Sequence, residues 1–95
     1  METLTYERSG GTPVARRAHV GVVASGDLEL LLEPADTGLR VRVATTAGGY
    51  GETWRAVFDR FFAREPIAAS IEINDFGATP AVVALRLEQA LEAAR

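Results

Sequence analysis

Three stretches of the chain hold residues able to do chemistry: 22–32 (VVASGDLELLL), 47–53 (AGGYGET) and 74–80 (NDFGATP). The first sets a single serine, Ser25, between two apolar runs, with Gly26 directly behind it and Asp27 next. A serine hydroxyl acts as a nucleophile when a neighbouring base takes its proton, and no such base stands beside it in the sequence. The only histidine, His19, lies in the alternating run RRAHVGVV and reads as a sheet-face side chain with no second polar partner nearby. Two readings of Ser25 stay open: an ordinary polar turn, or an exposed anchor for a covalent attachment with a small glycine neighbour. Asp27 could orient the hydroxyl or repel an approaching phosphate, and both stay open.

The other two stretches promise less. Asp75-Phe76-Gly77 matches the kinase triplet, but the kinase lysine, glycine loop and length are missing. It reads as a strand-to-helix turn with Gly77 easing the bend; a docking surface of Asp75, Phe76 and Thr79 ranks behind core and capping roles. AGGYGET has the glycines of a phosphate cradle at a helix start without the P-loop lysine or spacing, so it reads as a flexible connection. With no cysteine and one histidine, neither a disulfide framework, a thiolate nucleophile nor a transition-metal site is expected. So few chemical groups suit a protein that carries or binds something better than one that transforms it.

The elements that must position these residues follow from hydrophobic periodicity. From Arg16 to Val23, Ala18, Val20 and Val22 alternate with Arg17, His19 and Gly21, as in a half-buried strand. Leu28, Leu30 and Leu32 repeat the pattern, with Glu29, Leu31 and Glu33 facing away. After the PADTG turn, Leu39, Val41 and Val43 point one way and Arg40 and Arg42 the other. The period then lengthens: Trp54, Val57, Phe58 and Phe61 recur at helical spacing until Glu65-Pro66 stops them. Residues 70–75 alternate again, burying Ile71 and Ile73. Thr79-Pro80 then starts a last helix striped by Val83, Leu87 and Leu91, with Arg86, Gln89, Glu92 and Arg95 outside. The order is β-β-β-α-β-α. The expectation is an α+β two-layer sandwich, a four-stranded mainly antiparallel sheet with two helices on one face. Residues 1–13 read as an arm able to add an N-terminal edge strand, and residues 1–95 as one domain.

Sheet faces also fix a register. Pairing Val22 with Leu28, Val20 with Leu30 and Ala18 with Leu32 keeps apolar residues on one face and sets Arg17 opposite Glu33. That leaves Ala24-Ser25-Gly26 as a three-residue loop whose last position favours left-handed glycine. A Ser25-Gly26-Asp27 loop also preserves the faces, and either way Ser25 is at the exposed tip.

Composition bounds the partners. The 95 residues suit one modest core. Ten Lys+Arg against thirteen Asp+Glu, net −3, lack the basic footprint that nucleic acid demands. No apolar run approaches the roughly 20 residues that span a bilayer, and the N-terminus lacks the pattern of a signal peptide. A cytoplasmic protein is expected.

GVVASGDLELLLEP (21–34), INDFGATPAVVALRLEQALEAA (73–94) and the WRAVFDR helix together resemble the acyl carrier (delta) subunits of malonate decarboxylase. The resemblance runs from about Ala18 to the end. It implies that Ser25, in a V-x-S-G-D segment with Gly26 and Asp27 following, carries 2'-(5''-phosphoribosyl)-3'-dephospho-CoA through a phosphodiester. It also implies a carrier without catalysis of its own, which holds acetyl or malonyl as a thioester on that arm. The implied partners are acyl transferase and decarboxylase subunits, a prosthetic-group transferase and a malonyl transferase. The citrate lyase acyl carrier is a more distant likeness. A non-covalent ligand-binding or interaction module is the competing class.

Overall fold

The computed structural model describes residues 1–95. Along the chain run β1 (Glu2–Arg8), β2 (Thr12–Pro13), β3 (Ala18–Gly21), β4 (Leu28–Pro34), β5 (Leu39–Thr45), α1 (Gly51–Arg64), β6 (Ile67–Asp75) and α2 (Pro80–Ala94). The main sheet has the order β1-β5-β6-β4-β3, and β2 pairs with β6 off that path. Three neighbouring pairs are antiparallel (β1–β5, β4–β6 and β3–β4). β5 and β6 run parallel, because α1 carries the chain back before β6 begins. No helix is long and apolar enough to cross a membrane.

The two-layer α+β arrangement follows the periodicity. Leu28, Leu30, Leu32, Val41, Val43, Ile71 and Ile73 alternate inward from the sheet and meet Trp54, Phe58, Leu87 and Leu91 in one core of 19 buried residues. α1 supplies an aromatic ladder, since Trp54, Phe58 and Phe62 are four residues apart and share a face. The Phe58 ring centroid is 5.7 Å from that of Trp54 and 6.0 Å from that of Phe62. The helix stops at Arg64, ahead of Pro66. α2 starts on a side-chain cap: Thr79 Oγ1 accepts from the Val82 amide at 3.3 Å, with Pro80 in the first turn.

The N-terminal edge strand is present and complete. β1 pairs along all seven of its residues with β5. Leu4 and Tyr6 turn inward from it, the Tyr6 ring lies 5.2 Å from that of Phe58, and its hydroxyl donates to Asp59 Oδ1 at 2.7 Å. The sheet is therefore wider than the four strands read from the apolar runs, and β6 begins three residues earlier than expected, at Ile67.

One expectation fails in a way that matters. Val22 does not continue the inward face of β3; it is 55% exposed. Gly21, at φ +80°, turns the chain out of the sheet, and a Cβ there would lie 2.0 Å from the Leu28 carbonyl oxygen. Only glycine fits that approach.

Candidate functional site

Strand register gathers the three chemically interesting segments. Leu28 is the partner of Asp75, and Asp75 is the partner of Thr45. The start of β4 and the ends of β5 and β6 therefore share one end of the sheet. The Ser25 loop, the Asp75-Phe76-Gly77 turn and the Ala47–Gly49 segment all leave from there.

The expected hairpin register holds for Ala18 with Leu32 and Val20 with Leu30. Pairing ends at Gly21 with Glu29, so Val22 does not oppose Leu28, and the connection runs from 22 to 27 instead of closing over three residues. Within it, Ala24 to Asp27 form a tight β-turn: the Asp27 amide donates to the Ala24 carbonyl at 3.0 Å, and Gly26 takes φ +77°. A left-handed third residue is the mark of a type II turn and the reason for glycine there. Ser25 is the second residue of the turn and is exposed. A Cβ on Gly26 would meet nothing within 4 Å, so the space beside the hydroxyl is open.

The turn is held from two sides. The Gly26 amide donates to the Phe76 carbonyl at 2.8 Å, and the Phe76 amide donates to the Asp27 carbonyl at 2.9 Å. This short ladder joins the serine loop to the strand-to-helix turn. On the other side Arg86 reaches in from α2. Its Nη2 lies 2.6 Å from Asp27 Oδ2 and its Nε 3.1 Å from Oδ1, a two-point grip. The Leu28 amide donates to the same carboxylate at 2.7 Å. Arg86 first, and the Leu28 amide second, hold the Asp27 carboxyl below the usual carboxylate range.

Asp27 therefore neither orients the Ser25 hydroxyl nor stands as an unbalanced charge against a phosphate. It is turned toward α2, and its charge is matched there. Arg86, read from sequence as an outward residue, is the partner that reading missed. Its position carried a signal: it stands three residues after Val83 and four before Ala90, both buried, at the margin of the apolar stripe.

Asp75 is held differently. It is 2% exposed, beside the fully buried Thr45. Thr45 Oγ1 donates to Asp75 Oδ2 at 2.7 Å, and the Gly77 and Ala78 amides donate to the two carboxylate oxygens at 3.3 and 3.0 Å. The residue is a buried acceptor that folds the turn, as the core-and-cap reading has it, and Gly77 at φ +94° makes the bend. Between this turn and the starts of both helices lies a groove of about 320 Å³, whose apolar wall includes Tyr50, Trp54, Val57, Ala78, Pro80 and Val83. His19 is remote in role: exposed on the open face of the sheet, its Nε2 lies 3.0 Å from Glu29 Oε2. No cluster of three potential metal-ligating side chains is present.

Fold and site define a two-layer α+β domain with Ser25 exposed at one end of its sheet, on a loop bonded from both sides. The chain belongs to the malonate decarboxylase delta-subunit family of acyl carriers. The family model described as malonate decarboxylase delta subunit (MdcD) matches residues 15–94. The chain is 56% identical over 94 residues to the malonate decarboxylase acyl carrier protein of Azotobacter vinelandii, covering 97% of this chain and 95% of that one. It is 57% identical over 96 residues to the protein of the same name from Pseudomonas aeruginosa strain UCBPP-PA14, covering 99% and 97%. Among solved structures it is similar to a chain of a Pseudomonas malonate decarboxylase hetero-tetramer in complex with malonate. The TM-score there is 0.94 at 48% identity, with both chains fully covered.

Proposed function

We propose that this chain is the acyl carrier subunit of a malonate decarboxylase and that Ser25 Oγ is where its phosphoribosyl-dephospho-CoA arm is joined. One observation carries the assignment to Ser25. Its hydroxyl stands exposed on a turn whose every fastening is made by other atoms, namely the backbone of Ala24, Gly26 and Asp27 and the Asp27 carboxylate. An attached phosphate therefore displaces no bond that the fold needs. The open space at Gly26 fits such a group, and the Arg86 grip removes the repulsion that a bare Asp27 would exert on it.

When bound, the arm supplies the thiol on which an acetyl or malonyl group is carried, chemistry that a chain without cysteine does not have. The chain itself contributes the hydroxyl, the geometry of the loop and surfaces for its partners. Those partners are an acyl transferase and a decarboxylase in the working complex, and a prosthetic-group transferase and a malonyl transferase around it. No side chain is hydrogen-bonded to the Ser25 hydroxyl as a base, which fits attachment by a separate enzyme. The likeness to a hetero-tetramer chain and the names of the relatives favour this reading over a citrate-lyase-type carrier or a non-covalent module.

Co-expression of Ser25→Ala with the partner subunits and attachment enzymes tests it, with intact mass and acetate release from malonate as readouts. The variant is expected to fold, to bind its partners, to stay at the unmodified mass and to support no turnover. Normal turnover, or an arm mapped by peptide mass to Ser9 or Ser70, would end the Ser25 assignment.

A further inference from the structure

We propose that the groove between the starts of α1 and α2 is a resting site for the arm's neutral, acyl-bearing end, and that it accepts the acetyl form and refuses the malonyl form. This rests on the Ser25 reading above. Its volume of about 320 Å³ falls within the range of roughly 300–1,000 Å³ usual for sites that hold small organic ligands.

Continuity with the serine loop names the occupant. Gly77 is part of the groove wall, and a Cβ built on Gly77 would lie 3.8 Å from the Gly26 amide nitrogen. Gly26 directly follows Ser25, so the groove and the attachment point are separated by one residue, roughly 3.3–3.6 Å of extended chain, and one van der Waals contact. The passage between them is bordered by two residues without side chains. An arm that starts on Ser25 begins at the rim of this groove, and any free ligand must compete with a tethered one at high local concentration.

Charge sets which end of the arm enters. No Lys or Arg lines the groove, and the buried Asp75 carboxylate is in its wall with three neutral donors and no cationic partner. The arm's phosphates gain nothing there and remain in water near Ser25. An acetyl thioester is neutral and fits the apolar wall of Trp54, Val57 and Val83. A malonyl thioester ends in one carboxylate, which would enter beside that of Asp75, and like charge at close range in a partly dry site is unfavourable. Loading malonyl therefore frees the arm for the decarboxylase, and loss of carbon dioxide lets it return.

The experiment begins with the chain carrying its arm, made by co-expression with the attachment enzymes, and with peptide mapping to locate the arm. Amide NMR spectra of the bare, thiol, acetyl and malonyl forms are compared, with emission from Trp54, the only tryptophan, as a second readout. Amides of Thr53, Val57, Ala78 and Val83 are expected to shift in the thiol and acetyl forms and to return to the bare positions in the malonyl form. The arm's thiol is expected to alkylate about fivefold more slowly than free coenzyme A, the protection given by an arm docked about four-fifths of the time. Thr53→Phe, at an exposed helix position on the groove, fills the site and should restore the free rate while leaving melting unchanged. An arm mapped to Ser25 whose thiol reacts like free coenzyme A, with groove amides unmoved, overturns the groove and leaves Ser25 standing. Groove amides that shift only when partner subunits are added give the groove to a partner and overturn it too. An arm mapped elsewhere overturns the Ser25 reading, and this one with it.

Discussion

The loop that carries Ser25 and the turn that carries Asp75 lie side by side at one end of the sheet, and each is organised by an aspartate. Asp75 is 2% exposed and bound by a hydroxyl and two backbone amides. Asp27 keeps 19% of its side chain exposed and is bound by an arginine from a helix remote in sequence. The first arrangement is built into the core and cannot open without exposing Thr45 and the end of β6. The second is a clamp at the surface, able to loosen while the core stays intact. The chain thus divides a fixed platform and a looser loop between two adjacent turns.

The largest effect is expected from breaking the platform. Asp75→Ala leaves the buried Thr45 hydroxyl and the Gly77 and Ala78 amides without their acceptor. Orphaned buried donors cost about 1–3 kcal/mol each where water cannot replace the partner. Only the Thr45 hydroxyl is buried, while Gly77 is exposed and Ala78 half-buried, so we expect Asp75→Ala to lose about 2–4 kcal/mol in chemical denaturation, a large part of a small domain's stability. Asp75→Asn, which keeps one acceptor oxygen, should lose less. A loss from Asp75→Ala no greater than that of an ordinary surface change would show that the two turns are held alike.

This division was only partly legible in the sequence. Alternation of Leu28, Leu30 and Leu32 against Val20 and Ala18 determines faces, and faces determine register, so the hairpin pairing is readable in the sequence. Where the pairing ends was not. It depends on Gly21 meeting the Leu28 carbonyl, a contact between backbones that no side-chain pattern encodes. Asp27 was visible as the neighbour of Ser25, but its partner Arg86 is 59 residues away, and nothing local announces a pair of that separation. The edge strand was open because Leu4 and Tyr6 are too few apolar residues to demand a place in the sheet; the ring of Phe58 supplies the reason. Ser25 as an anchor came from the resemblance. The residues alone left it open between a polar turn and an exposed anchor.

A smaller effect is expected from loosening the clamp. Arg86→Met retains the aliphatic stem on α2 and removes both hydrogen bonds to Asp27. Global melting should scarcely move, while exchange of the Gly26 and Phe76 amides, which join the two turns, should speed up by roughly tenfold through local opening. Acid should act in the same direction. Because Arg86 holds Asp27 below its ordinary pKa, the unfolded chain binds more protons than the folded one in the window between the lowered value and about 3.9. The contribution of the pair is fully present at neutral pH and is lost as pH falls through that window. An NMR titration should find Asp27 below the ordinary range in the native chain and back toward about 3.9 in Arg86→Met. If exchange at Gly26 is indifferent to both the variant and acid, the ladder to Phe76 holds the loop alone and the clamp is superfluous.

The smallest effect on stability is expected at the residue proposed to anchor the arm. Ser25 is exposed, and its backbone lies outside the left-handed region, since every residue of the chain with positive φ is a glycine. Alanine adopts the same conformation at no cost. The turn is closed by the Asp27 amide on the Ala24 carbonyl and tethered by the Gly26 amide on the Phe76 carbonyl, and neither bond uses the hydroxyl. Ser25→Ala should therefore change stability by less than about 0.5 kcal/mol, with Gly26 and Phe76 exchange unaltered. Gly26→Ala supplies the contrast at the next position: it has space for its methyl but strains a backbone at φ +77°, and should cost about 1 kcal/mol or more. The two substitutions each leave one methyl on the same turn, so their difference isolates conformation from side-chain chemistry. Should Ser25→Ala prove as damaging as Asp75→Ala, the serine is part of the platform, and a hydroxyl that the fold depends on is a poor place to hang an arm.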